Sequence, residues 1–467
     1  MGLPFDSSEY VSRQERLFAE LPESSILIMP TNDRKFRSND VGYPFRANSY
    51  ILYLCGWEED EGVFVAHNQG GKVESMLFVP PRDTKKEIWE GIRIGVEGAK
   101  SWPVSKTYSL VDFESKILAM TKEFANIYTV PGVSSSIDKI CIDFDEVADP
   151  RKFIDPMRRI KSDIEIQYMQ EAATIASQAH KIAMEQALPE IGEWEIQSLV
   201  EGHFMKSKST WSFPSIVGGG SNATILHYKS NDCLVKNGDL VLVDAGCEIN
   251  GYASDITRTW PINGRFTEPQ REIYDLVLEA EKAGIDACQV GTPWSQMHQV
   301  VSQVIAQGLI DLGILDCDLA EALGDEITLD GPFRNFFMHG TGHFLGLDVH
   351  DVGGGRQGDP GAPESLEPGM VLTIEPGLYF ADWRGDIEIP ERYSGIGIRI
   401  EDDVLVTEDG PVVLSASCPK EIIEIENIVG SGASFTENDI GAKLIAPSIQ
   451  FFFSIIVTLY LVYTYKK

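Results

Sequence analysis

The sequence predicts an α/β (α+β) fold in two parts, an N-terminal α/β domain at residues 1–158 and a second mixed domain at 159–429. Three observations predict it. Short apolar runs of strand length alternate with helical patterns up to the boundary at 155–162. A capping-box signature, Ser162-Asp-Ile-Glu165, then opens a new region with a long helix. Beyond it lie two β-hairpins, each with one acid per arm embedded in apolar strand. With 467 residues, 43% of them apolar, the chain can fill two or three separate cores.

Taken in order, Ser25-Ile-Leu-Ile-Met29, Gly62-Val-Phe-Val-Ala66, Met76-Leu-Phe-Val79 and Ile140-Cys-Ile142 read as buried strands, and Leu110 to Phe124 as a helix. The aromatic Tyr43-Pro-Phe-Arg46 and Ser49–Leu54 segments read as core packing. The helix after Ser162 is ended by Pro189 and Gly192, and a second runs from Glu193 to Ser207. Strands with a Gly218-Gly-Gly220 loop follow, then helices at 267–288 and 293–312.

Several function classes are excluded. A formal charge of −32 repels nucleic acid and anionic lipid headgroups. The sole Gly-Lys pair, 71–72, is followed by Val, so there is no P-loop, and neither a G-x-S-x-G nor an H-E-x-x-H motif occurs. Seven cysteines without a C-x-x-C pair, and no basic, apolar leader, lead us to expect a reducing compartment.

The chemistry concentrates late in the chain. Phe336-Phe-Met-His339-Gly-Thr-Gly-His343-Phe-Leu-Gly-Leu-Asp348-Val-His350-Asp351 holds three of the eight histidines, and its glycines disfavour a helix. One hairpin runs Leu240-Val-Leu-Val-Asp244-Ala-Gly246, turns at Asn250-Gly251, and returns through Asp255 to Trp260. The other runs Gly369 to Glu375-Pro-Gly377 and returns along Gly395-Ile-Gly-Ile-Arg399-Ile-Glu401 to Val406. Both first arms share one form, an apolar run, an acid, and a glycine two further on, which hints at an internal duplication with facing halves. Buried unpaired carboxylates are very costly. Arg258 and Arg399 cannot balance four of them, whereas a pair of divalent ions about 3.5–4 Å apart can. Four carboxylates with one imidazole form a hard, oxygen-rich set suited to Mn²⁺ rather than to thiolate-bound zinc.

Five motifs carry a resemblance: Val243-Asp244-Ala-Gly246, Ser254-Asp255-Ile-Thr-Arg-Thr259, His339-Gly-Thr-Gly-His343, Thr373-Ile-Glu375-Pro-Gly377 and Arg399-Ile-Glu401-Asp402-Asp403. Tyr43-Pro-Phe-Arg46, Glu87-Ile-Trp89-Glu-Gly91 and the linker around Lys161 extend it to nearly the whole chain up to about residue 430. The sequence resembles the aminopeptidase P and prolidase family, whose catalytic domain has the pita-bread fold shared with methionine aminopeptidase and creatinase. The resemblance implies metal ligands at Asp244, Asp255, His343, Glu375 and Glu401, holding two divalent ions, with Mn²⁺ expected. It implies substrate-positioning and proton-moving roles for His227, His339 and His350, and supporting roles for Tyr379 and Arg399. Glu375 would take a proton from the attacking water and pass it to the leaving amine. His67, His180, His203 and His298 have no such company; His180 and His203 read as surface or packing residues.

The expected substrate is a peptide with proline at its second position, and the expected assembly a homo-oligomer, dimer or tetramer. A prolidase acting on Xaa-Pro dipeptides is the alternative; Arg82-Asp83-Thr-Lys-Lys-Glu-Ile-Trp89 and Ile389 to Arg399 favour a bacterial-type aminopeptidase P. A non-catalytic pita-bread binding module fits poorly with five intact ligands. The loops at 353–367 and 381–394 border the site without a readable pattern.

After a linker at 430–443, Leu444 to Tyr465 is a run of uncharged residues. A spanning helix needs about 20 such residues. Tyr460, Tyr463, Tyr465 and the final Lys466-Lys467 suit a membrane interface, against the interruptions Pro447, Gln450 and Ser454. A single transmembrane tail at 444–465, anchoring a cytoplasmic catalytic body, is therefore expected.

Overall fold

The computed structural model describes residues 3–142, 144, 146–354 and 364–432. In the N-terminal domain five strands form one sheet: β1 (Ser25–Pro30), β2 (Val63–Gln69), β3 (Lys72–Val79), β4 (Lys106–Ser109) and β5 (Asn126–Thr129), in the order β4-β3-β2-β1-β5. Every residue of β1 is buried, as its unbroken apolar run requires. One expectation is corrected here. Ile140-Cys-Ile142 is not a strand; Ile140 and Cys141 end a helix, Ser135–Cys141, and Ile142 follows it. The outer strand is Asn126–Thr129, parallel to β1. A three-residue apolar run carries no period that separates strand from helix, and Asp33 accepts the Ser135 amide at 2.9 Å, starting the helical turn.

Helices α1 (Ser7–Glu20), α2 (Ser49–Cys55) and α3 (Arg151–Arg159) pack beside this sheet and lead to α4 (Asp163–Glu185). The Glu165 carboxylate closes on the Ser162 amide at 2.8 Å, as the capping box predicts. α5 (Glu193–Lys206), α6 (Glu268–Asp286) and α7 (Trp294–Asp311) complete the helical layer of the second domain. Their apolar faces bury Ile196, Val200, Ile273, Val277, Val301 and Ile305 against strand residues such as Trp260, Leu378 and Ile398, all with no exposed surface.

Both hairpins are broken at their acids. In the first, β7 (Leu240–Asp244) pairs with β10 (Thr257–Pro261), Asp244 opposite Thr257, and edge strand β6 (Ile216–Gly219) lies on its other side. Past the break, β8 (Cys247–Ile249) pairs with β9 (Tyr252–Ala253) across a turn in which Asn250 and Gly251 both have positive φ. In the second, β11 (Val371–Ile374) pairs with β14 (Asp402–Thr407), and β12 (Gly377–Tyr379) with β13 (Gly397–Arg399). Strand β15 (Gly410–Val413) covers the outer edge of β14. The hairpins are stitched together where they face: the Glu401 amide donates to Thr257 O at 3.0 Å and the Thr259 hydroxyl to Arg399 O at 3.0 Å.

The domains are clamped by buried charge. Arg158 reaches Asp348 at 2.8 Å and Asp351 at 2.7 Å, and Lys161 reaches the other oxygen of Asp351 at 3.0 Å. From the N-terminal domain, Ser49 donates to Asp348 at 2.6 Å and Arg46 pairs with Glu248 at 3.0 Å. The loop that carries His350 is thus held by Arg158 and Ser49 of the N-terminal part together with Lys161 at the start of the second domain. The expected transmembrane tail at 444–465 lies outside the described residues, as does 355–363 of the glycine-rich loop. Among the described residues no helix is long and apolar enough to cross a membrane.

Candidate metal centre

At two points near the acids neighbouring backbones cross too closely for a side chain. A Cβ on Gly246 would meet Ser254 O at 1.8 Å, and one on Gly342 would meet Thr373 O at 1.8 Å. The first contact brings Asp244 and Asp255 together; the second brings the histidine stretch onto β11. Thr373 and His343 then exchange bonds, amide to carbonyl at 2.8 Å and amide to hydroxyl at 3.1 Å, and Glu375 N–H donates to Thr341 O at 2.7 Å.

The five expected ligands converge on one cleft of about 650 Å³. Ligand atoms of Asp255, His343 and Glu401 lie within 4.8 Å of one another. His343 Nε2 stands 3.5 Å from Asp255 Oδ2 and 3.6 Å from Glu375 Oε1. Its Nδ1 lies 3.0 Å from Phe344 O, a carbonyl that only accepts, so Nδ1 carries the hydrogen and the Nε2 lone pair faces the acids. That is the tautomer a metal needs.

The residues fit a divalent pair. Asp244 Oδ1 and Asp255 Oδ1 are buried without a hydrogen-bond partner. Against four acids the described residues set one guanidinium, Arg399, whose Nη2 donates to Asp244 Oδ2 at 2.7 Å. Arg258, the other guanidinium near the acids in sequence, pairs instead with Asp402 at 2.6 Å. Burial first, then the mutual repulsion of the acids, pushes Asp255 and Glu401 well above the carboxylate range. Burial likewise lifts Glu375 to about 7. A group of acids that resists ionisation on its own is one that bound cations stabilise.

Behind these five residues runs a directed chain of hydrogen bonds. Arg399 Nη1 donates to the Tyr379 oxygen at 2.9 Å, and Tyr379 O–H donates to His339 Nε2 at 2.8 Å. His339 Nδ1–H in turn donates to Gly340 O at 2.8 Å. Both ring nitrogens of His339 are therefore engaged by protein atoms, and burial holds it neutral, its pKa pushed down to about 3. Thr257 Oγ1–H donates to Glu401 at 2.7 Å and accepts from Arg399 Nε at 3.1 Å. His227 and His350 line the mouth of the cleft and are exposed. The His350 ring stacks obliquely on His343, centroids 4.1 Å apart.

Other residues matter here beyond the expected ligands. Asp403, fully enclosed, accepts the Asp255 amide at 3.1 Å and so fixes that ligand's backbone. His180 is buried on α4 with Nε2 3.2 Å from Ala245 O, a packing role beside Asp244. His298, which lacked sequence neighbours of interest, stands 2.8 Å from Thr341 Oγ1. The 381–394 connection is tied to the turn before His227: Ser221 donates to Asp382, and Trp383 Nε1 to Thr224 Oγ1 at 3.0 Å.

Two family models match the chain, "Aminopeptidase P, N-terminal domain" over residues 10–128 and "Metallopeptidase family M24" over residues 167–408. This chain belongs to metallopeptidase family M24. Among curated M24 relatives, the Xaa-Pro aminopeptidase of Haemophilus influenzae is 42% identical over 427 residues, covering 90% of this chain and 97% of that protein. Among solved structures, proline aminopeptidase P II from Yersinia pestis aligns with a TM-score of 0.85 at 36% identity, covering 91% of this chain and 99% of the other. Aminopeptidase P from Escherichia coli with the inhibitor Pro-Leu aligns at 0.86 and 36%, covering 92% and 100%. The two-domain pita-bread fold of aminopeptidase P is thus the fold of this M24 chain.

Proposed function

We propose that this protein is a dinuclear-metal aminopeptidase that hydrolyses the bond between an N-terminal residue and a following proline. One observation carries the reading: the five expected ligands line one cleft, and two of their buried carboxylate oxygens are left without partners. The full-length similarity to an Xaa-Pro aminopeptidase supports the proline preference. Asp244, Asp255, His343, Glu375 and Glu401 would hold the two ions; the oxygen-rich set favours Mn²⁺. Such a pair, when bound, lowers the pKa of a water to near neutrality and polarises the scissile carbonyl.

The remaining work falls to side chains. Glu375, which lines the cleft, takes a proton from the attacking water and returns it to the leaving amine. His227 and His350 at the mouth donate to the oxygen on which charge develops. Arg399 and Tyr379 hold Asp244 and His339 in place, and His339 positions the substrate side of the cleft from that fixed seat. The test is metal-stripped protein reloaded with Mn²⁺ and assayed on an Xaa-Pro dipeptide beside an Xaa-Pro-Yaa tripeptide. Tripeptide turnover is expected. Turnover of the dipeptide alone would make the protein a prolidase, and turnover of neither would refute the reading.

We further propose that residues 444–465 anchor the chain in a membrane with its catalytic body on the cytoplasmic side, on the strength of their uncharged, tyrosine-flanked sequence. Carbonate-washed membranes should retain full-length protein and release a chain truncated after Gly430, which keeps its peptidase activity. Equal release of both would refute the anchor. A homo-oligomer, dimer or tetramer, is our reading of the assembly, supported by the exposed Ile88, Trp89 and Ile92 on one side of the N-terminal domain; sizing by light scattering tests it.

A further inference from the structure

The stretch Met338 to Gly342 is a thin wall with space on both sides. One side faces the metal cleft. The other faces a second cavity of about 380 Å³, bounded by α7 and lined by Trp294, His298 and Arg334. His339, Gly340 and Gly342 border both spaces. Nothing lies within 4 Å of where a Gly340 Cβ would point. At Gly340 the wall has nothing packed against it, and it keeps its place through tethers on either side. Arg334 supplies two, donating to Met338 O at 2.9 Å and His339 O at 2.8 Å. Tyr379 O–H holds His339 Nε2 at 2.8 Å, and Thr341, 4% exposed, supplies two more: its carbonyl accepts the Glu375 amide at 2.7 Å, and its hydroxyl lies 2.8 Å from His298 Nδ1.

We infer that His298 is a positioning residue for the reaction: from the far side of the wall it fixes Thr341, and through Thr341 it sets both the Glu375 backbone and the seat of His339. His298 touches neither ligand nor cleft, and its own ring is steadied on Phe337, centroids 5.7 Å apart. Burial, with Arg334 nearby, pushes its pKa down to about 4, so the ring is neutral at working pH and keeps one hydrogen-bonding geometry. A small displacement of an acid–base group costs rate far more than it costs binding, since the reacting atoms must meet within a fraction of an ångström.

The inference rests on the peptidase reading, and the test separates the two. His298→Phe keeps the ring and its packing but removes Nδ1. Thr341→Val removes the hydroxyl from the other side of the same bond. Each should lower kcat by about 10-fold with KM and metal content near wild type. The double variant should be no slower than the slower single one, because both remove one interaction. His298→Asn, which returns a polar atom near the Nδ1 position, should recover most of the rate. Amide hydrogen exchange of the 336–345 segment should quicken in both single variants, and this readout needs no substrate. Wild-type protein inactive on Xaa-Pro peptides would sink the function while leaving exchange to judge the tether. Active wild type with unchanged kcat and exchange in His298→Phe would overturn the inference, as would single-variant effects that multiply in the double variant or metal loss in a folded His298→Phe.

Discussion

Metal uptake by this site should expel protons, and the effect can be sized. In the metal-free protein Glu375 sits at about 7, raised by burial and by Asp244 against the opposing pull of Arg399. It therefore holds about 0.9 of a proton at pH 6 and about 0.1 at pH 8. Burial and the neighbouring acids also raise Asp255 and Glu401 well above the carboxylate range, and they add to this. His343 adds nothing in that range, because burial keeps it neutral with a pKa of about 4. Ligands must be deprotonated to bind, so Glu375 alone weakens Mn²⁺ affinity by about 10-fold, ~1.4 kcal/mol, between pH 8 and pH 6. Calorimetric titration in two buffers of different ionisation enthalpy counts the protons released. At least about one per protein is expected at pH 6, and Glu375→Gln should remove about one. Affinity equal at pH 6 and pH 8, or no proton released at pH 6, would refute the reasoning. The same shift affects folding. The folded metal-free protein keeps the Glu375 proton while the unfolded chain loses it near its ordinary value of 4.5. Stability from this group therefore falls as pH rises from about 4.5 to about 7, by ~3 kcal/mol in all. His339 and His343 act in the opposite sense below their ordinary value of 6.5, where the unfolded chain takes up protons that the folded one refuses. The comparison to make is hence wild type against Glu375→Gln across pH 5 to 8, in urea melts of the metal-free protein.

Asp255→Asn and His343→Ala should each lose bound metal and activity together, measured by elemental analysis beside the peptidase assay; full turnover by metal-free Asp255→Asn would end the two-metal proposal. Glu375→Gln should lower kcat by at least ~100-fold, the low end of a general acid–base contribution, and a wild-type kcat at full metal occupancy would remove Glu375 from proton transfer. His227→Ala and His350→Ala should retain metal yet turn over roughly 10²-fold more slowly, the scale of one oxyanion donor; loss of metal in either would make that histidine a ligand.

The parts legible in the sequence are those whose physics is local. Asn250-Gly251 marks a turn because both positions need positive φ, and both have it. Glu165 marks the start of α4 because a carboxylate three residues after Ser162 reaches back to its amide. The four acids announce themselves because an ionisable group in an apolar strand demands a partner. Where local signals compete, reading fails: Ile140-Cys-Ile142 has strand-like residues, but Ser134 and the Asp33 carboxylate favour a helical turn just before it. Asp33 lies about a hundred residues away in sequence, which no window of pattern can include.

Long-range contacts decide the rest, and they explain how four acids can stay together at all. The ligands repel one another, yet none is free to move apart. Asp244 is held by Arg399 and Glu401 by Thr257, while the backbone of Asp255 is held by Asp403 and that of Glu375 by Thr341. Each partner comes from a different strand or loop than the ligand it holds. The frame is paired backbone buried between the hairpins and α6–α7, so separating the acids would mean breaking ladder bonds and opening apolar core. Because the acids cannot separate, the metal-free site relieves their repulsion by holding protons, which entering cations displace. A site built this way binds metal with geometry already set, and substitutions in its frame, at Thr257 or Asp403, should loosen metal binding although neither residue touches the ions.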